Sequence, residues 1–383
     1  MDQIITLDEI RAAQRRLAGV AVRTGLHRVS PERMRLAGLA ELPFELYIKA
    51  ESEQPIGSFK LRGAYNRIAQ LSKEELGRGV ITYSSGNHAQ GVAYAARALG
   101  ARAVIVMPQN APAIKREATA ALGAEIVLVG PASSERRAKA EELARAHGYT
   151  IIPPYDDPAI IAGQGTCGLE ILEQLGVIGP DGDAGPSKDD WEKGPKGGGE
   201  LNASGSFDCA LRAPLRMTPG GGVVVLSPVS GGGLLSGIAA AVKLAAPEAG
   251  VQVWGAEPEL AADAKESFDT KTLVEWPAEM TTRTRCDGLR TQSLGELNFA
   301  HILRFVDGIV TVSEDQILAA MHGLLAATGL VAEPSGAVTL AATLFHHSEL
   351  PRCQRLVAVL SGGNIEPELR RELDAGQSAD ASA

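Results

Sequence analysis

Four segments of the chain carry residues able to do chemistry. Lys60 stands in Ser58-Phe59-Lys60-Leu61-Arg62-Gly63-Ala64. An ammonium in such an apolar, glycine-flanked stretch is costly to bury unless it is neutralised or paired. Condensing with an aldehyde removes the charge and gives the amine a covalent role; a lysine that snorkels to the surface is the plainer reading. Ser84-Ser85-Gly86-Asn87-His88-Ala89-Gln90-Gly91 joins a β-rich run to a helical pattern. Backbone N–H groups at a helix N-terminus favour anions, and hydroxyl and amide side chains add donors, so a substrate carboxylate would sit well there. An ordinary capped turn is the alternative. Ser230-Gly231-Gly232-Gly233-Leu234-Leu235-Ser236-Gly237 follows an apolar run at 223–226 and opens a helical pattern at 238–244. Successive glycines let a backbone curl around a phosphate. A dinucleotide site is the rival, because Glu257 ends the next predicted strand where a ribose-binding acid would fall. The glycines, however, read Gly-x-Gly-x-x-x-Gly (Gly231, Gly233, Gly237), and a nicotinamide-dependent dehydrogenase gives Lys60 and the serine–asparagine turn no task. Ser361-Gly362-Gly363-Asn364 closes an apolar run at 356–360. A hydroxyl there could face a heteroaromatic nitrogen, or the segment could be a plain turn.

Elements must position these groups. From 79 to 152, β-rich runs at 80–83, 103–107, 125–129 and 150–152 alternate with helical stretches. The stretch after Asn87 places Val92, Ala95, Ala96 and Leu99 on one face, and Gly100 stops it. Such alternation predicts a parallel sheet covered by helices, a small domain over 79–155. Residues 1–78 with 156–374 make the larger domain, with strands at 223–226, 251–255 and 356–360. Ser313-Glu314-Asp315-Gln316 reads as a capping box opening a helix that carries Ile317, Ala320, Met321 and Leu324 on one face. The expected fold is α/β, two lobes with a ligand cleft between them. Residues 180–222, rich in glycine, proline and charge, read as a disordered surface insertion, and 375–383 as a flexible tail.

Composition narrows the class of partner. The 383 residues are 45% hydrophobic, long enough for two packed cores. A net charge of -9 without a basic, aromatic-studded patch argues against nucleic acid. Cys167, Cys209, Cys286 and Cys353 are scattered, which suggests neither zinc nor disulfides and points to a reducing compartment. Cys167 and Cys286 read as core residues. The N-terminus lacks a signal-peptide pattern, and no apolar run approaches the roughly 20 residues that span a bilayer. A cytoplasmic protein with no membrane partner is expected.

Taken in order, Ser-Phe-Lys-x-Arg-Gly-Ala, Ser-Ser-Gly-Asn-His-x-Gln-Gly, the triglycine loop, Glu-Pro-Ser-Gly-Ala (from Glu333) and Ser-Gly-Gly-Asn resemble the serine/threonine dehydratase and serine racemase family. Asp156-Asp157-Pro158 with Gly163-Gln164-Gly165-Thr166, and Asp287-Gly288-Leu289-Arg290-Thr291, match it as well. The resemblance runs from about Leu7 to Glu372, with the insertion as its main departure. It implies a fold-type-II, tryptophan synthase β-like enzyme with parallel sheets flanked by helices and pyridoxal 5'-phosphate in the interlobe cleft. The family commonly forms homodimers.

By that resemblance Lys60 would hold the cofactor as a Schiff base and then act as base for the α-proton. Phe59 would pack beside the ring, and Asn87 would hydrogen-bond its phenolic oxygen. Ser230, Gly231, Gly232, Gly233 and Leu234 would cradle the phosphate; Ser230 stands where the family often has glycine, which could add a hydroxyl donor. Ser361 would meet the pyridine nitrogen. Ser84, Ser85, Asn87 and His88 would bind the substrate, with His88 structural or orienting rather than a proton donor. Ser85 matches the second acid/base of the racemase branch. Glu257, Asp263 and the carbonyl of Ala261 match that branch's cation site, suited to magnesium or calcium; a solvated acidic turn is the alternative. The activity implied is β-elimination of L-threonine or L-serine to a 2-oxo acid and ammonia, as a threonine/serine ammonia-lyase, with serine racemase as the nearest alternative. A dehydrogenase, and a non-catalytic binding protein using the insertion, are the distant ones.

Overall fold

A computed structural model describes residues 4–84, 86–111, 113–130, 133–179 and 222–380. Ser85, residues 180–221 of the expected insertion, and 381–383 of the expected tail lie outside the described residues.

Among the described residues ten strands form two sheets, β1 (Leu26–Val29), β2 (Glu45–Ala50), β3 (Val80–Thr82), β4 (Ala103–Pro108), β5 (Glu125–Val129), β6 (Thr150–Ile151), β7 (Gly222–Pro228), β8 (Gln252–Pro258), β9 (Gly308–Val312) and β10 (Cys353–Leu360). The larger sheet runs β1-β2-β10-β7-β8-β9 and the smaller β5-β4-β3-β6. Pairing is parallel throughout, except that β1 meets β2 antiparallel at the edge. A parallel sheet is buried on both faces and needs nearly unbroken apolar strands. Val223, Val225, Val357 and Val359 accordingly feed one core, and Val224, Leu226, Leu356 and Leu360 the other.

Helix limits depart from the periodicity in an informative way. The helix expected at 238–244 spans Gly233–Ala245, so the glycine segment is its first turn as well as the loop before it. The helix Glu314–Thr328 starts at the anticipated capping box and buries Ile317, Ala320, Met321 and Leu324. The last helix, Pro367–Asp380, continues past Ala375, where a flexible tail was expected; a proline in its first turn and the fully buried Leu373 start and dock it.

The helix Lys60–Ile68 belongs to neither lobe alone. Ala64 and Ile68 pack with Val80, Ala89, Val92 and Ile105 in the core of the smaller sheet, and Ile160 joins them from the helix Pro158–Gln174. A boundary drawn at 78/79 separates the strands but cuts through this core. No helix among the described residues is long and apolar enough to cross a membrane.

Candidate active site

The four chemical segments follow the carboxyl ends of parallel strands, or dock against one that does, which is where ligands bind open α/β sheets. Asn87 stands shortly after β3, Ser230 after β7 and Ser361 after β10. The lysine segment is tied to the last of these. The Phe59 N–H donates to the Ser361 carbonyl at 3.1 Å, and Ser58 bridges to Gly362.

Lys60 opens its helix, and its Nζ donates to the Pro154 carbonyl at 2.8 Å, 5.2 Å from the centre of the Phe59 ring. Burial strips water from the ammonium, and the pKa falls to about 8. Such an amine is partly neutral, hence nucleophilic, near physiological pH. The snorkelling reading of Lys60 is corrected: the head is turned inward, onto a carbonyl.

Asn87 begins the helix Asn87–Ala98, which has no side-chain cap. Its N-cap is Gly86, and among the described residues no side chain caps the N–H groups of the first turn. Asn87 Nδ2 donates to Glu333 Oε1 at 2.6 Å, and its Oδ1 accepts from Asn364 Nδ2 at 2.7 Å. His88 lies just behind, its Nε2 3.1 Å from the Ile152 carbonyl. Burial, then the Lys60 charge, push its pKa down to about 3, so the ring is neutral and suited to orienting rather than donating protons. The Ser84 hydroxyl accepts weakly from the Gly86 N–H at 3.4 Å.

The glycine segment forms a cradle. Ser230 adopts φ +55° and Gly232 φ +94°, turning the chain so that the helix Gly233–Ala245 starts with no side-chain cap and bare N–H groups. Those groups, from Gly233 and Leu234 onward, suit a phosphate. A Cβ at Gly231 would fall 2.5 Å from the Tyr155 ring, so only glycine lets that ring lie against the loop. The Ser230 hydroxyl differs from expectation. It donates to the Gly288 carbonyl at 2.9 Å and lies 3.3 Å from Thr291 Oγ1, so it braces the loop against Asp287–Leu289 rather than pointing at a ligand. The left-handed backbone at this position explains why glycine is its natural occupant. Ser361 is 4% exposed, with its hydroxyl 3.5 Å from the Ser335 carbonyl, a weak bond that a better acceptor would replace.

Glu257 and Asp263 form a second, smaller cluster. Glu257, at the end of β8, accepts from the Lys265 N–H at 2.9 Å, whereas both Asp263 carboxyl oxygens are buried with no hydrogen-bond partner among the described residues. Burial raises the pKa of both; the Asp263 charge adds to the rise at Glu257, and Asp263 reaches about 7. The solvated-turn alternative is excluded, since each is only 1% exposed. Two orphaned hard oxygens beside a buried carboxylate, with Ala261 in the adjoining turn Glu259–Ala261, fit a divalent cation. No group of three or more His, Cys, Asp or Glu side chains able to hold a metal occurs among the described residues, so carbonyl and water would complete the shell.

Sequence reasoning assigned no role to the strut at 154–157. Pro154 receives Lys60, and the Tyr155 ring covers Gly231. Asp156 caps the helix Glu296–Phe305 through the Leu297 N–H at 3.0 Å, and Asp157 caps Pro158–Gln174. Glu333 and Asn364 were also unassigned, although both stand in quoted motifs. Their partner, Asn87, lies 246 and 277 residues away, beyond any periodicity.

The family described as pyridoxal-phosphate dependent enzyme matches residues 29–186 and 217–362. The L-threo-3-hydroxyaspartate ammonia-lyase of Saccharomyces cerevisiae is 36% identical over 333 residues, 87% of each chain. The serine racemase of Schizosaccharomyces pombe is 32% identical over 363 residues, 95% of each. The crystal structure of the T.th. threonine deaminase superposes with a TM-score of 0.76 at 40% identity, covering 94% of this chain and 99% of that one. A match through both lobes, over a lysine without a counter-charge and a bare glycine cradle, shows that the chain belongs to the pyridoxal-phosphate-dependent enzymes and shares their two-lobed, fold-type-II α/β architecture.

Proposed function

We propose that the protein is an ammonia-lyase for β-hydroxy amino acids, eliminating the hydroxyl of L-threonine or L-serine to yield a 2-oxo acid and ammonia. The observation that carries this reading is the buried Lys60 amine held at the Pro154 carbonyl, its pKa lowered by burial, in a chain whose relatives include a hydroxyaspartate ammonia-lyase and a threonine deaminase. When bound, pyridoxal phosphate supplies an aldehyde for amines and an electron sink for charge at Cα. Gly231, Gly232, Gly233 and Leu234 would hold its phosphate, Phe59 and Asn87 its ring, and Ser361 its nitrogen. A neutral serine there would not stabilise a proton on that nitrogen. Lys60 Nζ would be the base for the α-proton. The N–H groups of the Asn87 turn, with Ser84 and Ser85, bind the substrate carboxylate, and His88 keeps that turn in place. The hydroxyl would depart with a proton as water, and the freed enamine, as its imine tautomer, would take up water to give the 2-oxo acid and ammonia.

Serine racemisation is the second reading, favoured by the Schizosaccharomyces pombe relative and by Ser85 at the position of a second acid/base. Glu257, Asp263 and Ala261 would bind Mg2+ or Ca2+. A homodimer in a reducing, cytoplasmic compartment fits the family and the free cysteines Cys167, Cys286 and Cys353.

The deciding experiment incubates the cofactor-loaded, magnesium-supplemented protein with L-serine and with L-threonine, and quantifies 2-oxo acid and D-amino acid. Predominant oxo acid supports the lyase; substantial D-serine moves the assignment to the racemase; neither product refutes both. Deleting 180–222 is expected to leave the lyase chemistry largely intact.

A further inference from the structure

The Asn87 side chain is held by two residues of the larger lobe, and its orientation follows from counting hydrogens. Asn364 Nδ2 donates to the Ile56 carbonyl at 2.9 Å and to Asn87 Oδ1 at 2.7 Å, which uses both its hydrogens. Asn87 must therefore present its oxygen to Asn364 and its nitrogen to Glu333, 2.6 Å away. One Nδ2 hydrogen goes to Glu333, and the other remains for a ligand. Without Glu333 the amide keeps one anchor and can swing about it.

Two glycines make room for this clamp, Gly362 in the last chemical segment and Gly57 just before the first. A Cβ at Gly362 would fall on Glu333 Oε1, and a Cβ at Gly57 on Asn364 Oδ1. The Glu333 N–H donates to the Gly362 carbonyl at 3.1 Å, which fixes the carboxyl's approach. Glu333 is 3% exposed, and burial, then the nearby Asp287 charge, raise its pKa to about 8. It is thus mainly a neutral carboxyl at pH 7, which an amide can imitate.

We propose that Glu333 is a positioning residue for the reaction: by holding Asn87 from across the cleft, it aims the remaining amide N–H at the ring oxygen of the cofactor. The proposal rests on the reading that Asn87 meets that oxygen. The clamp also joins the lobes, because Asn87 sits on the smaller sheet's first helix and Glu333 immediately precedes the helix Pro334–Phe345 of the larger.

The test compares cofactor-loaded Glu333→Gln and Glu333→Leu with the parent protein, by the absorption spectrum of the substrate-free holoenzyme and by kcat and KM for L-threonine. Glu333→Leu is expected to shift or weaken the visible band of the bound cofactor. It should lower kcat about 10–100-fold while KM moves less than about threefold, and Glu333→Gln should restore the band and most of kcat. A Glu333→Leu protein with the parent's spectrum and kcat overturns the proposal, as does a Glu333→Gln protein no better than the leucine variant. If Glu333→Leu does not fold, Glu333→Asp carries the test. Its carboxyl, one methylene shorter, falls short of Asn87 Nδ2, so the same spectral change is expected, and an unchanged spectrum overturns the proposal. Because the spectrum is read without substrate, a parent protein inactive on L-threonine would fault the substrate reading and leave this test intact.

Discussion

At the scale of single residues, the chemistry turns on what burial does to charge. Burial strips water from the Lys60 ammonium, and among the described residues no carboxylate pairs with it, so its pKa drops to about 8. The neutral amine is the form that attacks an aldehyde, and it predominates above that value. Rebinding of pyridoxal phosphate to the apoprotein, followed by the growth of its visible absorption, should therefore accelerate as pH rises from 6 to 8 and level off beyond. A rate indifferent to pH over that span would contradict the shift. Lys60→Ala should abolish both that absorption and turnover. Ser230 illustrates a balance. Its left-handed φ of +55° costs about 1 kcal/mol, and its bond to Gly288 returns about as much. Ser230→Gly should then change stability by less than about 1 kcal/mol in urea unfolding and preserve cofactor binding, whereas Ser230→Val should lose about 1–3 kcal/mol.

At the scale of elements, the helix that carries Lys60 is anchored by ions. Arg62 grips Glu51 through Nε and Nη2 at 2.7 Å each, and Glu170 through Nη1 at 2.7 Å; Lys49 Nζ meets Glu170 at 2.6 Å. The Thr24 hydroxyl donates to Glu51 at 2.7 Å. Two cations and two anions cancel in a dry interior, so removing one strands the rest. Arg62→Met should destabilise the protein by about 3–5 kcal/mol and loosen cofactor binding, since the helix then loses its fixed registration on Pro158–Gln174. The Arg62 charge and its hydrogen bonds outweigh burial at Glu51, holding its pKa down to about 2 against an ordinary 4.5. The carboxylate's contribution is complete above pH 4.5 and is lost as pH falls towards 2. Acid unfolding in that window should be blunted in Glu51→Gln, which starts from a lower stability.

At the scale of the whole molecule, Glu257 and Asp263 make stability depend on pH, and the cation proposed for them would act through that dependence. Both folded pKa values stand above their ordinary 4.5 and 3.8. Their burial is tolerated at low pH, and opposes folding increasingly as pH climbs past those values. A bound divalent cation removes that opposition. Millimolar magnesium should raise the melting temperature more at pH 8 than at pH 5, and Asp263→Asn should erase the difference. An equal response at both pH values would argue against this site.

Much of this protein was legible before folding. The order of Lys60, the serine–asparagine turn, the triglycine loop and Ser361 resembled one family, and that resemblance implied the cofactor, as the family match bears out. Apolar runs located most of the strands, because a parallel sheet buries both faces. Other features waited for the tertiary structure. The Pro154 carbonyl has no side-chain signature, so its meeting with Lys60 could not be read. Ser230 looked like a free donor until its φ and the approach of Gly288 gave the hydroxyl a partner. Glu333 and Asn364 stood in recognised motifs, yet their shared task at Asn87 depended on contacts across more than 240 residues of sequence. Residue types and local spacing determine which chemistry a chain can perform. Burial and long-range approach, which only the packed lobes create, decide which protons and hydrogen bonds are left to perform it.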